Sequence, residues 1–154
     1  MIRPAGPGEA DTLLRIQREA AVGAFAHIFP PAQYPFPDDG VRADWERALA
    51  DPAIEIYVAE LDGTPIGSVA VGHGFLRNLY VLAEHQGTGL GSQLHDHGLD
   101  RLRALGHHEA KLWTLEGNEQ GRRFYERRGW TLNGETRVVP FPPQPLDVGY
   151  SRPL

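Results

Sequence analysis

A glycine-rich turn is the segment of this chain best suited to chemistry. Gly87, Gly89 and Gly91 follow an apolar run that ends at Leu82, and a helical pattern begins within the same segment. At such a junction the first amide groups of the helix lack partners inside it, and the helix dipole adds partial positive charge. Glycine lets the backbone approach a phosphate closely and adopt positive φ. The segment 86–91 therefore predicts a phosphate or pyrophosphate site, the alternative being an ordinary strand-to-helix turn.

Two other phosphate-binding motifs fit this turn poorly. A P-loop ends in Gly-Lys-Ser or Gly-Lys-Thr, whereas the one lysine of the chain is Lys111, well beyond the turn. A dinucleotide fingerprint needs a third glycine where Ser92 stands, and it usually opens its domain. Neither motif explains the glycines.

Periodic patterns on either side of the turn predict the elements that position it. Apolar spacing predicts four helices, over 8–24, 38–50, 89–105 and 118–129. Gly6 and Pro7 are expected to cap and open the first helix. An Asp62-Gly63 pair predicts a hairpin turn. Strands are expected over 1–3, 54–60, 65–72, 75–82, 111–115, 130–139 and 146–152.

Composition limits the classes of protein to consider. A chain of 154 residues with 41% hydrophobic content suffices for one core, so a single α/β domain over 1–154 is expected. A net charge of −5 gives no basic field for nucleic acid. The absence of cysteine, of an apolar leader and of a membrane-length apolar run favours a cytoplasmic protein without membrane contact. His95 and His97 point to different helix faces, so they are expected at the surface and no metal is predicted.

The turn also matches a family signature. Gln86, Gly89 and Gly91 satisfy the Gln/Arg-x-x-Gly-x-Gly/Ala acetyl-CoA motif of the GNAT N-acetyltransferases. The segment 79–81 resembles the fourth strand of that family, and Asn118 with 124–130 resembles its N…FYE segment. The chain thus resembles GNAT proteins over nearly its whole length, with one departure at Ala83, where the family often has proline.

The resemblance implies a fold and a cosubstrate. The fold is a mostly antiparallel mixed sheet of about seven strands with four flanking helices, its fourth and fifth strands splayed to admit acetyl-CoA. The amides of 86–91 would hold the pyrophosphate, and the main chain of 79–81 would pair with the pantetheine arm. The implied cofactor-binding residues are Leu79, Tyr80, Val81, Gln86, Gly87, Thr88, Gly89, Leu90, Gly91, Ser92, Asn118, Arg123 and Tyr125. Asn118 is equally explained as a helix cap.

The resemblance assigns the catalytic acid more readily than the base. Tyr125 is expected to protonate the departing thiolate. Many family members carry a base on the fourth strand, where this chain has Phe75 and Arg77, neither of which can accept a proton. The nearest replacements are His73 and Glu116, although both positions are also typical of surface residues.

The resemblance implies an enzyme that transfers acetyl groups to a primary amine of a small molecule or peptide by direct attack in a ternary complex. A catalytically silent acyl-CoA sensor or interaction module is the alternative, because the usual base is missing. The acceptor is set in this family by the first two helices and their loop, here 24–44, whose aromatic residues suggest an apolar wall. Arg77 could grip an acceptor carboxylate or phosphate, or form a structural salt bridge. A homodimer is compatible with the fold.

Overall fold

The computed structural model describes residues 1–154 as one seven-stranded sheet with helices on both faces. The helices are α1 (Ala10–Ala24), α2 (Asp38–Ala50), α3 (Leu90–Ala104) and α4 (Glu119–Glu126). The strands are β1 (Ile2–Pro4), β2 (Ile54–Leu61), β3 (Thr64–Gly72), β4 (Phe75–Val81), β5 (Glu109–Leu115), β6 (Thr131–Val138) and β7 (Leu146–Pro153). The predicted mixed α/β fold of about seven strands and four helices is confirmed. No helix is both long and apolar enough to cross a membrane.

The sheet is antiparallel except at its centre. The strand order is β1-β2-β3-β4-β5-β7-β6, and only β4 and β5 run parallel. These two strands share one registered pair, Phe75 with Lys111, and then diverge. Diverging strands leave main-chain groups on their inner edges without partners. The splay expected between the fourth and fifth strands is therefore present.

Two apolar layers hold the helices to the sheet. On one face, Leu13 and Ile16 of α1 are fully buried against Val58 of β2. On the other face, Leu94 and Leu102 of α3 are fully buried in a second cluster. Each such side chain stabilises the fold by roughly 1.5–3 kcal/mol. The sheet is thus anchored on both sides of the splay.

The first helix begins later than predicted. Its first residue is Ala10, and Glu9 rather than Gly6 is the N-cap. The Glu9 carboxylate accepts a hydrogen bond from the Gly6 amide at 2.6 Å and pairs with Arg3 at 2.7 Å. These contacts hold 6–9 as a turn tied to β1, which local helix propensity cannot reveal.

Two other local predictions are wrong. The fifth strand begins at Glu109 rather than at 111, because its pairing with β7 continues to Pro153. His95 is not at the surface: it is 1% exposed, and the Trp130 indole donates a hydrogen bond to its Nε2 at 2.9 Å. The expected Asp62-Gly63 hairpin turn is present, with positive φ at both residues.

Candidate active site

The amide groups of the glycine turn have no partners within the protein. Gly87 and Gly89 have φ of 76° and 89°, and Gly89 is the N-cap of α3. The backbone N–H groups of 87–92 donate no hydrogen bond, and no side chain caps the helix. Unpaired amides at the positive end of a helix dipole form a binding site for an anion.

The third glycine of the turn has a different role from the one expected. Gly91 lies inside α3 and does not have positive φ. A Cβ atom at this position would come within 3.3 Å of the Phe124 ring on α4. The Arg128 guanidinium lies 3.6 Å from the centroid of that ring and donates a hydrogen bond to the Ser92 hydroxyl. The close approach of α3 and α4 therefore brings a cation to the turn.

The free edge of β4 faces the gap between β4 and β5. The Leu82 amide donates a hydrogen bond to the carbonyl of Ile66 on β3 at 3.0 Å. Leu82 and Ile66 are therefore a hydrogen-bonded pair of the antiparallel ladder. The alternation of an antiparallel ladder then directs the main-chain groups of Leu79 and Val81 away from β3. They are available to an extended ligand, except that the Val81 carbonyl accepts a hydrogen bond from Gln86 Nε2 at 3.1 Å.

A cavity of about 310 Å³ includes the glycine turn and the free edge of β4. We refer to it as the cofactor cavity. Ten of the residues that were expected to bind the cofactor line this cavity: Leu79, Tyr80, Val81, Gln86, Gly87, Gly89, Gly91, Ser92, Asn118 and Tyr125. Arg128 also lines it, although the sequence pattern did not single it out.

Three residues expected at the cofactor do not line this cavity. The Thr88 hydroxyl donates to the His85 carbonyl at 2.7 Å. Leu90 packs against the two apolar clusters. Arg123 is exposed on α4 and lies 3.9 Å from the Glu119 carboxylate. Their side chains are therefore occupied elsewhere, whereas the backbone amides of 88 and 90 stay free.

A second cavity, of about 550 Å³, lies on the α1 and α2 side of the splay. We refer to it as the acceptor cavity. Its walls come from α1, the loop before α2, β4, β5, β7 and the segment that joins β6 to β7. Six residues line both cavities, namely Ala21, Phe25, Leu79, Tyr80, Asn118 and Tyr125. The two cavities therefore meet where β4 and β5 separate.

Asn118 has a structural role at this meeting point. Its Oδ1 accepts a hydrogen bond from the Gly121 amide and so caps α4, at 3.1 Å. Its Nδ2 donates to the Thr114 hydroxyl of β5 at 3.1 Å. The side chain thus fixes the start of α4 relative to β5.

Two tyrosine hydroxyls at the splay make no hydrogen bond within the protein. Tyr125 packs edge-on against Phe124 and Trp130, with ring centroids 5.3 Å and 6.0 Å away. Burial, and secondarily the nearby Tyr80, raises the pKa of Tyr125 well above its usual value of 10. Burial, with the charge of Asp147 second, raises the pKa of Tyr80 to about 12. Both phenols therefore keep their protons at neutral pH.

The side chains of the two bases suggested by the sequence form no part of either cavity wall. His73 is in the turn that precedes β4, at the opposite end of that strand from Val81, and lies 3.7 Å from the Asp51 carboxylate. Glu116 is exposed after β5 and uses its main chain to bond Leu146. Neither lines a cavity.

Two charged residues of the acceptor cavity, Asp147 and Arg137, were not predicted from the sequence. Asp147 of β7 is 7% exposed and accepts a hydrogen bond from Arg137 Nε at 3.0 Å. They lie ten residues apart on strands that pair across a proline-rich connection, and no motif marks them. Arg77, which the sequence analysis did single out, also lines the cavity. Four successive residues of β7, 147–150, are buried, so strand alternation offered no signal for Asp147.

Comparisons with known proteins agree with this geometry. The sequence pattern of the acetyltransferase (GNAT) family matches residues 20–130. An uncharacterized N-acetyltransferase of Archaeoglobus fulgidus is 32% identical over 135 residues, which cover 80% of this chain and 88% of that one. The PaiA N-acetyltransferase of Thermoplasma acidophilum, solved with coenzyme A, has a TM-score of 0.77 at 18% identity, over 100% of this chain and 98% of that one. YncA of Salmonella typhimurium, solved with acetyl-CoA, has a TM-score of 0.72 at 20% identity, over 100% of this chain and 93% of that one. The chain belongs to the acetyltransferase (GNAT) family.

Proposed function

We propose that this protein takes an acetyl group from acetyl-CoA and transfers it directly to a primary amine in a ternary complex. The observation that carries the proposal is the meeting of the two cavities at Leu79, Tyr80, Asn118 and Tyr125. The free amides of 87–92 would hold the pyrophosphate, and the main chain of Leu79 and Val81 would pair with the pantetheine arm. The thioester would then open toward the acceptor cavity.

Direct transfer requires one bond to form and one to break. The amine nitrogen attacks the thioester carbonyl carbon, and the C–S bond breaks as the tetrahedral intermediate collapses. The nitrogen releases a proton to solvent, while the Tyr125 hydroxyl gives its proton to the departing sulfur and recovers one from solvent. The Val81 amide is the donor available to the developing oxyanion. The chain has no cysteine to form an acyl-enzyme, which agrees with direct attack.

Tyr125→Phe tests this mechanism. Removing the proton donor should lower kcat about 100-fold or more, while acetyl-CoA binds as before. CoA release with a thiol reagent measures kcat, and titration calorimetry measures binding. Tyr80→Phe is the matched control, because Tyr80 lines the same cavities and its hydroxyl is also free. A larger loss of kcat in the control would assign the acid to Tyr80 instead.

Acyl-CoA binding without turnover is the alternative function. It is supported by Phe75 and Arg77, which stand where the family usually carries a base. The discriminating assay offers acetyl-CoA with diamines, amino acids, aminoglycosides and peptides. Thermal stabilisation by acetyl-CoA without CoA release from any of them would favour a sensor. Turnover with one class would establish the transferase.

A further inference from the structure

Asp147 is the only carboxylate among the residues that line the two cavities, and no histidine lines either one. Asp147 is only 7% exposed, and burying a carboxylate costs free energy unless charged or hydrogen-bonding partners compensate. Arg137 compensates on one side, since its Nε donates to Oδ2 and its guanidinium lies 4.7 Å from the Trp113 ring centroid. The other carboxylate oxygen, Asp147 Oδ1, accepts no hydrogen bond from the protein. The carboxylate therefore retains an unused acceptor.

The strand register brings Asp147 to the level of the splay. β4 and β5 diverge after the Phe75–Lys111 pair, and Leu79 of β4 and Leu115 of β5 both line the acceptor cavity that opens between them. Leu115 in turn pairs with Asp147 on β7. Leu79 lines both cavities and turns its main chain into the gap. A group held at Asp147 thus lies in the same cavity as the edge of β4 beside which the thioester would open.

The rest of the acceptor cavity suits an apolar ligand that carries a hydrogen-bond donor. Asn78 lines this cavity, and its Oδ1 is buried without a hydrogen-bond partner. Much of the wall is aromatic, formed in part by Phe25, Phe29, Phe36 and Trp113. Aromatic walls favour an apolar body, while carboxylate and amide oxygens favour an ammonium group.

We propose that the acceptor is a primary amine on an aromatic or aliphatic arm, and that Asp147 holds its ammonium group before transfer. This inference rests on the proposed acetyl transfer. The ammonium donates to the free Oδ1 while the arm packs against the aromatic wall. After one proton passes to solvent, the nitrogen attacks the thioester as described above. Asp147 is thus a residue that determines acceptor specificity.

Arg77 defines the competing kind of acceptor. It is the bulged residue of β4, since Leu76 and Asn78 pair with the consecutive residues Val71 and Ala70. Bulges redirect side chains and are common beside active sites. Arg77 lines the acceptor cavity and takes part in none of the ion pairs of the structure. An acceptor with a carboxylate, such as an amino acid, would use this cation.

The experiment compares 2-phenylethylamine, ethylamine and phenylalanine as acceptors. The wild-type protein should acetylate 2-phenylethylamine with a kcat/KM at least about tenfold above the other two, because they lack the apolar arm or add a carboxylate. D147N should raise KM for 2-phenylethylamine about tenfold or more, with a smaller change in kcat and no change in acetyl-CoA binding. E109Q removes an exposed carboxylate of β5 that lines neither cavity, and it should leave KM at the wild-type value. The double variant D147N/R137Q removes both charges of the ion pair and covers the case in which D147N does not fold.

Each contrary outcome has a distinct meaning. Equal use of ethylamine and 2-phenylethylamine, or an unchanged KM in D147N and the double variant, would overturn the inference while leaving acetyl transfer intact. A preference for phenylalanine that R77Q abolishes would overturn it in favour of an acceptor bearing a carboxylate. Absence of CoA release with all three amines and with the wider panel would contradict the proposed function, and the inference with it.

Discussion

The two cavities that meet at the splay are built from different parts of the chain. The cofactor cavity takes its anion-binding groups from the backbone of one short segment, 87–92, with Arg128 beside it. The acceptor cavity is made of side chains from α1, the loop before α2, and strands on both sides of the splay. Backbone amides bind a phosphate whatever side chains surround them. We therefore expect substitutions at residues that line only the acceptor cavity to change its ligand without altering the anion-binding amides of the cofactor cavity.

The largest expected effect on acetyl-CoA binding comes from bending the backbone of the glycine turn. Gly89→Ala places a side chain at φ 89°, which costs about 1 kcal/mol of stability and moves the amides of α3 away from the phosphate. Acetyl-CoA binding should weaken at least about tenfold. Calorimetric titration and thermal unfolding measure the two effects.

Gly134→Ala is the matched control, because Gly134 has φ 85°, open space around it and no place in either cavity. It should lose similar stability and retain full acetyl-CoA affinity. Equal loss of affinity in both variants would mean that the cofactor cavity depends on global stability rather than on the local backbone.

A smaller effect should separate two arginines, one in α4 and one in the turn that follows it. Arg128→Met removes the cation stacked on Phe124 beside the turn, and it should weaken acetyl-CoA binding about three- to tenfold. Arg123→Met removes an exposed cation outside the cavity and should have no measurable effect on binding. The same titration at low and high salt tests both. The reverse order of effects would return the role to Arg123, as the sequence predicts.

The smallest effect concerns the pH dependence of stability, which should come from the cofactor side. The ring centroids of His95 and Phe124 are 5.9 Å apart. Burial lowers the pKa of His95 below the usual 6.5, and the neighbouring Asp96 only partly opposes this shift. The unfolded chain then binds a proton more readily than the folded one. Stability should therefore fall as pH drops below about 6.5, until the folded pKa is passed.

Thermal unfolding between pH 8 and pH 5 (roughly the range in which histidine titrates) measures this loss. His95→Gln keeps an acceptor for Trp130 and should flatten the pH dependence, whereas exposed His108→Gln should not. An unchanged slope in His95→Gln would show that burial of this imidazole is not linked to proton uptake.

Sequence patterns predicted the elements of the fold better than their ends. Apolar periodicity and the Asp62-Gly63 turn placed every helix and strand, because these signals act over a few neighbouring residues. The start of α1 was misplaced because Glu9 is held by Arg3 of β1. His95 was misplaced because its burial depends on Trp130, thirty-five residues away.

The sequence by itself identified the family and the fold, and it predicted the turn 86–91 as the site for the cofactor, since all three inferences depend on short motifs and local periodicity. Only the tertiary structure decided which charged side chains reach the cavities. It placed Arg128 at the turn and Arg123 outside it, and it left His73 and Glu116 out of the walls of both cavities. It brought Asp147 there instead, through pairing of β5 with β7. The physical reason is that strand pairing and helix packing, not distance along the chain, determine which side chains share a cavity.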